Sequence, residues 1–170
     1  MNFDPKNVTK EGLAHLKEAV NADINPIESL SIDPGRRNGV CGYDSRHYLQ
    51  FKFSINEKDV TPFLRAFTKL KRIIIEDYRL YPNKTKQQVY SDMLTPRVIG
   101  RVEDYCTMRD IELIKQGASI KDTGYKWIGK KPPPRGNPDR DPMDAHVHFM
   151  YWAIKNRHID AGKLIQDDIS

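Results

Sequence analysis

The chain has 170 residues, enough for one domain with a real core and too few for two comfortable ones. Its 28 Lys and Arg against 23 Asp and Glu give a net charge of +5, and its 38% hydrophobic content argues against a disordered chain. The mild basic bias fits a polyanionic partner, and no apolar stretch approaches the ~20 residues of a membrane-spanning helix.

Residues 9–21 read as a helix, capped by Thr9 with Leu13, Leu16 and Val20 on one face, and form an N-terminal helical arm over 1–27. A short strand at 29–33 ends in Asp-Pro-Gly. Residues 38–44 and 47–53 form a hairpin around Asp44-Ser45-Arg46, with strand-forming bulk from Tyr48, Phe51 and Phe53. A helix over 59–69 carries Val60, Phe63, Leu64 and Phe67 on one face. The β-branched run 71–76 reads as a strand buried on both faces, followed by a polar, aromatic loop from Asp77 to Lys86. A helix over 96–109 has Pro96 in its first turn, and a short strand follows at 111–115. The Gly-, Lys- and Pro-rich stretch 117–140 reads as a loop or mobile flap, 141–157 as a helix, and 158–170 as a tail. This order predicts an α/β fold, a mixed sheet flanked by helices, with one domain over 28–157. Cys41 and Cys106 stand in no metal-binding spacing and read as reduced thiols. The start Met1-Asn2-Phe3-Asp4-Pro5 does not read as a signal peptide. The expectation is a cytoplasmic protein with no membrane partner.

Four acids stand out by position. Asp33 and Glu76 each close an apolar strand, so a site at the carboxyl ends of the strands would collect both. Asp141 and Asp144 are three apart at the start of a helix, which puts them on one face. Each has a plain structural alternative: Asp-Pro-Gly is ordinary turn chemistry, a strand-end Glu marks emergence into water, and acids in a first turn favour the helix dipole. Gathered in space, the four would repel one another without cations between them. Hard divalent ions such as Mg²⁺ or Mn²⁺ take oxygen ligands, and two such ions about 3.5–4 Å apart cut phosphodiester bonds. His148, four residues after Asp144, continues the shared face as a residue to orient water or touch phosphate, whereas His146 lies off it. Lys121 follows the strand at 111–115 toward the same sheet end and is a candidate cation for the charge developing on phosphorus. Gly39 is read as leaving room for a nucleic-acid backbone.

These segments resemble the three motifs of RuvC-like Holliday junction resolvases. Ser31-Ile32-Asp33-Pro34-Gly35-Arg36-Arg37-Asn38-Gly39 is similar to their first motif, Ile73-Ile74-Ile75-Glu76 to their second, and Asp141-Pro142-Met143-Asp144-Ala145 to their third. The segment Glu76 to Pro82 looks closest to bacteriophage members, which would place the protein in a host cytoplasm. The resemblance implies an RNase H-like fold, two metal ions per site held by Asp33, Glu76, Asp141 and Asp144, and cleavage of branched double-stranded DNA. The N-terminal arm and the basic Pro-rich stretch depart from the family pattern. No small-molecule cofactor is expected. DNA contacts are expected from Arg36, Arg37, Arg79, Lys84, Lys86, Lys126, Lys130, Lys131 and Arg135 through phosphates, with Tyr78, Tyr81 or Trp127 stacking into an opened junction. A two-fold junction suits a homodimer, and the helix at 59–69 is a candidate face for it. The rival readings are a flap or packaging-type nuclease on the same fold, and a non-catalytic DNA-binding module.

Overall fold

The computed structural model describes residues 26–77 and 94–160. The predicted helix at 9–21, the segment carrying Tyr78, Arg79, Tyr81, Lys84 and Lys86, and the tail from 161 lie outside the described residues.

Among the described residues five strands form one sheet: β1 (Ser29–Asp33), β2 (Arg37–Tyr43), β3 (Leu49–Asn56), β4 (Arg72–Asp77) and β5 (Glu112–Gly117). Their order is β3-β2-β1-β4-β5. β2 runs antiparallel to β1 and β3, while β1, β4 and β5 are mutually parallel. Among the described residues four helices flank the sheet: α1 (Val60–Leu64), α2 (Leu94–Arg109), α3 (Ile120–Trp127) and α4 (Arg140–Lys155). This is the mixed sheet flanked by helices that the order of elements implied. Among the described residues no helix is long and apolar enough to cross a membrane.

Alternation along β4 divides the core in two. Ile73 and Ile75 face the layer that holds Phe63, Leu64, Val98 and Val102 of α1 and α2. Ile74 faces the other layer, with Ala145, Phe149 and Trp152 of α4 and Tyr125 of α3. All three isoleucines are fully buried, as a parallel central strand requires. Burying side chains of this size contributes on the order of 2 kcal/mol each.

The hairpin is longer than its sequence pattern indicates, and its connection runs from Asp44 to Tyr48. Asp44 is buried and organises this turn: its carboxylate accepts from the backbone N–H of Arg46 and of Tyr48, both at 2.9 Å, and from the Gln50 amide at 3.2 Å. The helix expected at 59–69 stops at Leu64. Beyond it the backbone tightens, with Ala66 N–H bonding Phe63 O and Phe67 N–H bonding Leu64 O, so Phe67 stays in the core without a continued α-helix.

The stretch 117–140 is not the loop or flap its composition suggests. Residues 120–127 form α3, which buries Gly124 and Tyr125 against α4. Its glycine is a packing device: a Cβ at Gly124 would lie 2.5 Å from Val147 Cγ1. The rest of the stretch lacks regular structure but is tied down. Arg140 donates to Pro133 O at 2.9 Å and Arg37 to Pro138 O at 3.4 Å.

Candidate metal centre

α4 is docked on the sheet by bonds that run through its first turns. Ser31 Oγ donates to Ala145 O at 2.6 Å and Cys41 Sγ to Pro142 O at 3.2 Å. The docking needs Gly39, which pairs with Asp33 in the β1–β2 register. A Cβ at Gly39 would sit 1.9 Å from the Asp141 carbonyl oxygen. The close approach at Gly39 is therefore made by the start of α4, not by a nucleic-acid backbone.

The result is a carboxylate cluster at the carboxyl ends of β1 and β4. Lys121, from α3, puts its Nζ 2.8 Å from Asp33 Oδ1, 2.5 Å from Glu76 Oε2 and 3.0 Å from Asp144 Oδ2. β1, β4 and α4 thus each contribute one acid to a single ammonium. Asp144 is held from its other side by Tyr125, whose hydroxyl donates to Oδ1 at 2.6 Å. His148 is completely buried, with Nε2 3.1 Å from Glu76 Oε2 and Nδ1 2.8 Å from Gln116 Oε1. It is thus part of the cluster wall rather than a group reaching out to solvent.

Burial raises the Asp33 pKa well above the carboxylate range, against the pull of Lys121. Glu76 behaves oppositely: burial raises its pKa, but bonds from His148, Asp33 and Lys121 outweigh this and hold it at about 2. The contrast is that of two adjacent carboxylates competing for too little positive charge. Burial lowers the His148 pKa, keeping the ring neutral, although Glu76 pulls the other way. The carboxylates raise the Lys121 pKa despite its desolvation, so the ammonium stays charged.

Ligand atoms of Asp33, Glu76 and His148 all lie within 4.8 Å of one another. Two carboxylates and an imidazole suit a divalent ion that accepts oxygen and tolerates nitrogen, which fits Mn²⁺ as well as Mg²⁺. Asp144 joins them through Lys121. Asp141 stands apart: it senses Arg37, Asp144 and Lys121 electrostatically, and burial raises its pKa, but Lys121 does not bridge it.

Two contributors escape a sequence reading. Gln116, on β5, orients His148, and Tyr125, on α3, orients Asp144. The spacing of Lys121 and Tyr125 on one helix was the signal for the second; Gln116 had none. His146 bonds Tyr43 at 2.9 Å and plays no part in the cluster.

Arg36 and Arg37 are exposed beside Asp33, and Lys126, Lys130, Lys131 and Arg135 are exposed on and after α3. Arg37 also donates to Pro138 O, in the segment between Arg135 and α4. Trp127 stacks flat on Tyr151, with ring centroids 5.0 Å apart, and so is engaged in packing.

No family model matches the sequence, and no curated protein matches it. Solved structures do. Thermus thermophilus RuvC in complex with a Holliday junction substrate is 14% identical, with 76% of this chain and 94% of that chain covered at a TM-score of 0.49. A second Thermus thermophilus RuvC structure is 13% identical, with 75% and 96% covered at 0.46. The yeast mitochondrial Holliday junction resolvase Ydc2 is 12% identical, with 92% and 90% covered at 0.42.

Proposed function

We propose that this chain is a metal-dependent endonuclease that cuts branched DNA, with Holliday junctions as the preferred substrate class. The observation that carries the reading is the convergence of Asp33, Glu76 and Asp144, from three separate elements, on one ammonium beside the buried His148. Burying three acids together is costly unless cations share the site. A small-molecule phosphatase would have the acids but no use for the basic rim.

Asp33, Glu76 and His148 would hold a divalent ion, with Asp144 alongside and Asp141 at the mouth. Bound there, such an ion supplies a water of lowered pKa and charge to stabilise the phosphoryl transition state. The chain's own groups prepare the rest. Gln116 fixes the His148 ring, and Tyr125 fixes the Asp144 carboxylate, so ligand positions are set before substrate arrives. Arg36, Arg37, Lys126, Lys130, Lys131 and Arg135 seat the phosphate backbone without reading sequence. Tyr78, Arg79, Lys84 and Lys86 are further DNA contacts in this reading. Paired cuts across a two-fold junction call for two copies of the chain, which sedimentation with junction DNA would detect.

The test is cleavage of a labelled four-way junction, with a 5′-flap and a plain duplex alongside, in Mg²⁺ or Mn²⁺. Wild type should nick the junction symmetrically, and Asp33→Asn should bind it without cutting. Flap cutting alone would keep the chemistry and change the substrate. Absence of cutting on all three with either metal would leave a DNA-binding module.

A further inference from the structure

We propose that Arg140 binds the phosphate that is cut, at the mouth of the acid cluster. The inference rests on the nuclease reading above and adds a residue to its substrate contacts.

Arg140 opens α4, one residue before Asp141 and four before Asp144. Its Nε lies 3.8 Å from Asp144 Oδ2, an ion pair but too long for a hydrogen bond. Asp144 does not depend on it: Tyr125 bonds Oδ1 at 2.6 Å and Lys121 bonds Oδ2 at 3.0 Å. Nor does the helix, since a cation in a first turn opposes the macrodipole. The Arg140 side chain is 31% exposed against 7% for Asp144, so solvent reaches the arginine far more than the acid.

The guanidinium is already oriented. Its one bond of hydrogen-bonding length among the described residues runs from Nη1 to Pro133 O, at 2.9 Å. That bond fixes one corner of a planar group with five N–H donors and leaves Nη2 and Nε for an incoming anion. A side chain held in this way loses less freedom when it binds. A phosphodiester offers two charged oxygens to such a fork, and takes its N–H groups more strongly than a neutral carbonyl does.

Position decides which phosphate it meets. Lys121 links Asp144 to Asp33 and Glu76, two of the residues placed to hold the ion. From the guanidinium to those acids the path therefore crosses one carboxylate and one ammonium. Among the described arginines, Arg140 is the one paired with an acid of the cluster. The exposed Lys131 and Arg135, on the segment that Arg140 holds at Pro133, serve flanking phosphates.

The experiment measures junction affinity of the full chain without divalent ion. Each junction carries one neutral methylphosphonate, placed in turn at every phosphate around the branch point. At the phosphate that wild type cuts when metal is present, this substitution should weaken wild type about tenfold more than Arg140→Gln. The glutamine amide can still bond Pro133 O but carries no charge. Arg140→Gln should also lower the slope of log K against log [salt] by about one. Arg37→Ala, which frees the same segment at Pro138, should respond to the methylphosphonate as wild type does. Arg140→Ala should repeat Arg140→Gln, and decides the matter if the glutamine variant does not fold. Equal responses in wild type and Arg140→Gln would overturn the inference. So would a difference confined to a phosphate that is not cut, or one that Arg37→Ala also abolishes. Cutting by wild type without such a difference sinks this inference alone, whereas no cutting of any substrate with Mg²⁺ or Mn²⁺ sinks the nuclease reading, whatever the affinities.

Discussion

At Gly39 a single missing methyl group holds the site together. A Cβ there would overlap the Asp141 carbonyl at 1.9 Å, and backbone cannot rotate out of the way as a side chain can. Gly39→Ala should therefore lower stability by about 1–3 kcal/mol, read as a reduced urea midpoint at unchanged m-value. His146 offers a second test. Its pKa is lowered from 6.5 to about 4, mainly by burial, so it bonds the Tyr43 hydroxyl through Nδ1 as a neutral ring. Between these values the unfolded chain takes up a proton that the folded chain refuses. Stability is then fully present above pH 6.5 and is lost as pH falls toward 4, by on the order of 3 kcal/mol at most. The dependence of the urea midpoint on pH should be shallower in His146→Phe than in wild type over this window. Equal slopes would remove His146 as the cause.

Among the elements, α3 decides the most. It is eight residues long, too short to be stable alone, and its position comes from packing Gly124 and Tyr125 on α4. Gly124→Val should lift the helix off Val147 and separate Lys121 from its carboxylates. The expected signature is a melting temperature several degrees lower, together with at least partial rescue by Val147→Ala in the double variant. Additive losses would mean that the contact does not set the helix position. α4 is anchored independently, through Ser31 and Cys41, so it should hold its place when α3 shifts.

Over the whole molecule, net charge and site charge point in opposite directions. The chain carries +5 overall, while Asp33, Glu76 and Asp144 gather in one cluster and Arg36, Arg37, Lys126, Lys130, Lys131 and Arg135 are exposed. Phosphates are drawn to the rim, and the cluster awaits a cation. Junction affinity should fall steeply with salt, and Lys131→Ala and Arg135→Ala should each reduce the slope of log K against log [salt] by about one. A slope unchanged in both variants would put the DNA elsewhere on the surface.

Much of this was legible in the residues themselves. Asp33 and Glu76 end apolar strands, and a strand's period of two fixes which side chains face which layer, so the core alternation of Ile73, Ile74 and Ile75 follows from local order alone. The mixed sheet flanked by helices follows from the order of elements along the chain. What the chain could not announce was α3, because glycine and lysine within 117–140 disguise a helix whose stability is almost wholly tertiary. It could not announce that Gly39 serves a helix rather than a ligand, or that Tyr125 and Gln116 would meet an acid and a histidine far away in sequence. The separation of Asp141 from its motif partner is of the same kind. Local periodicity sets where a side chain sits on its own element; which distant group it meets depends on how the layers pack, and only the tertiary structure decides that.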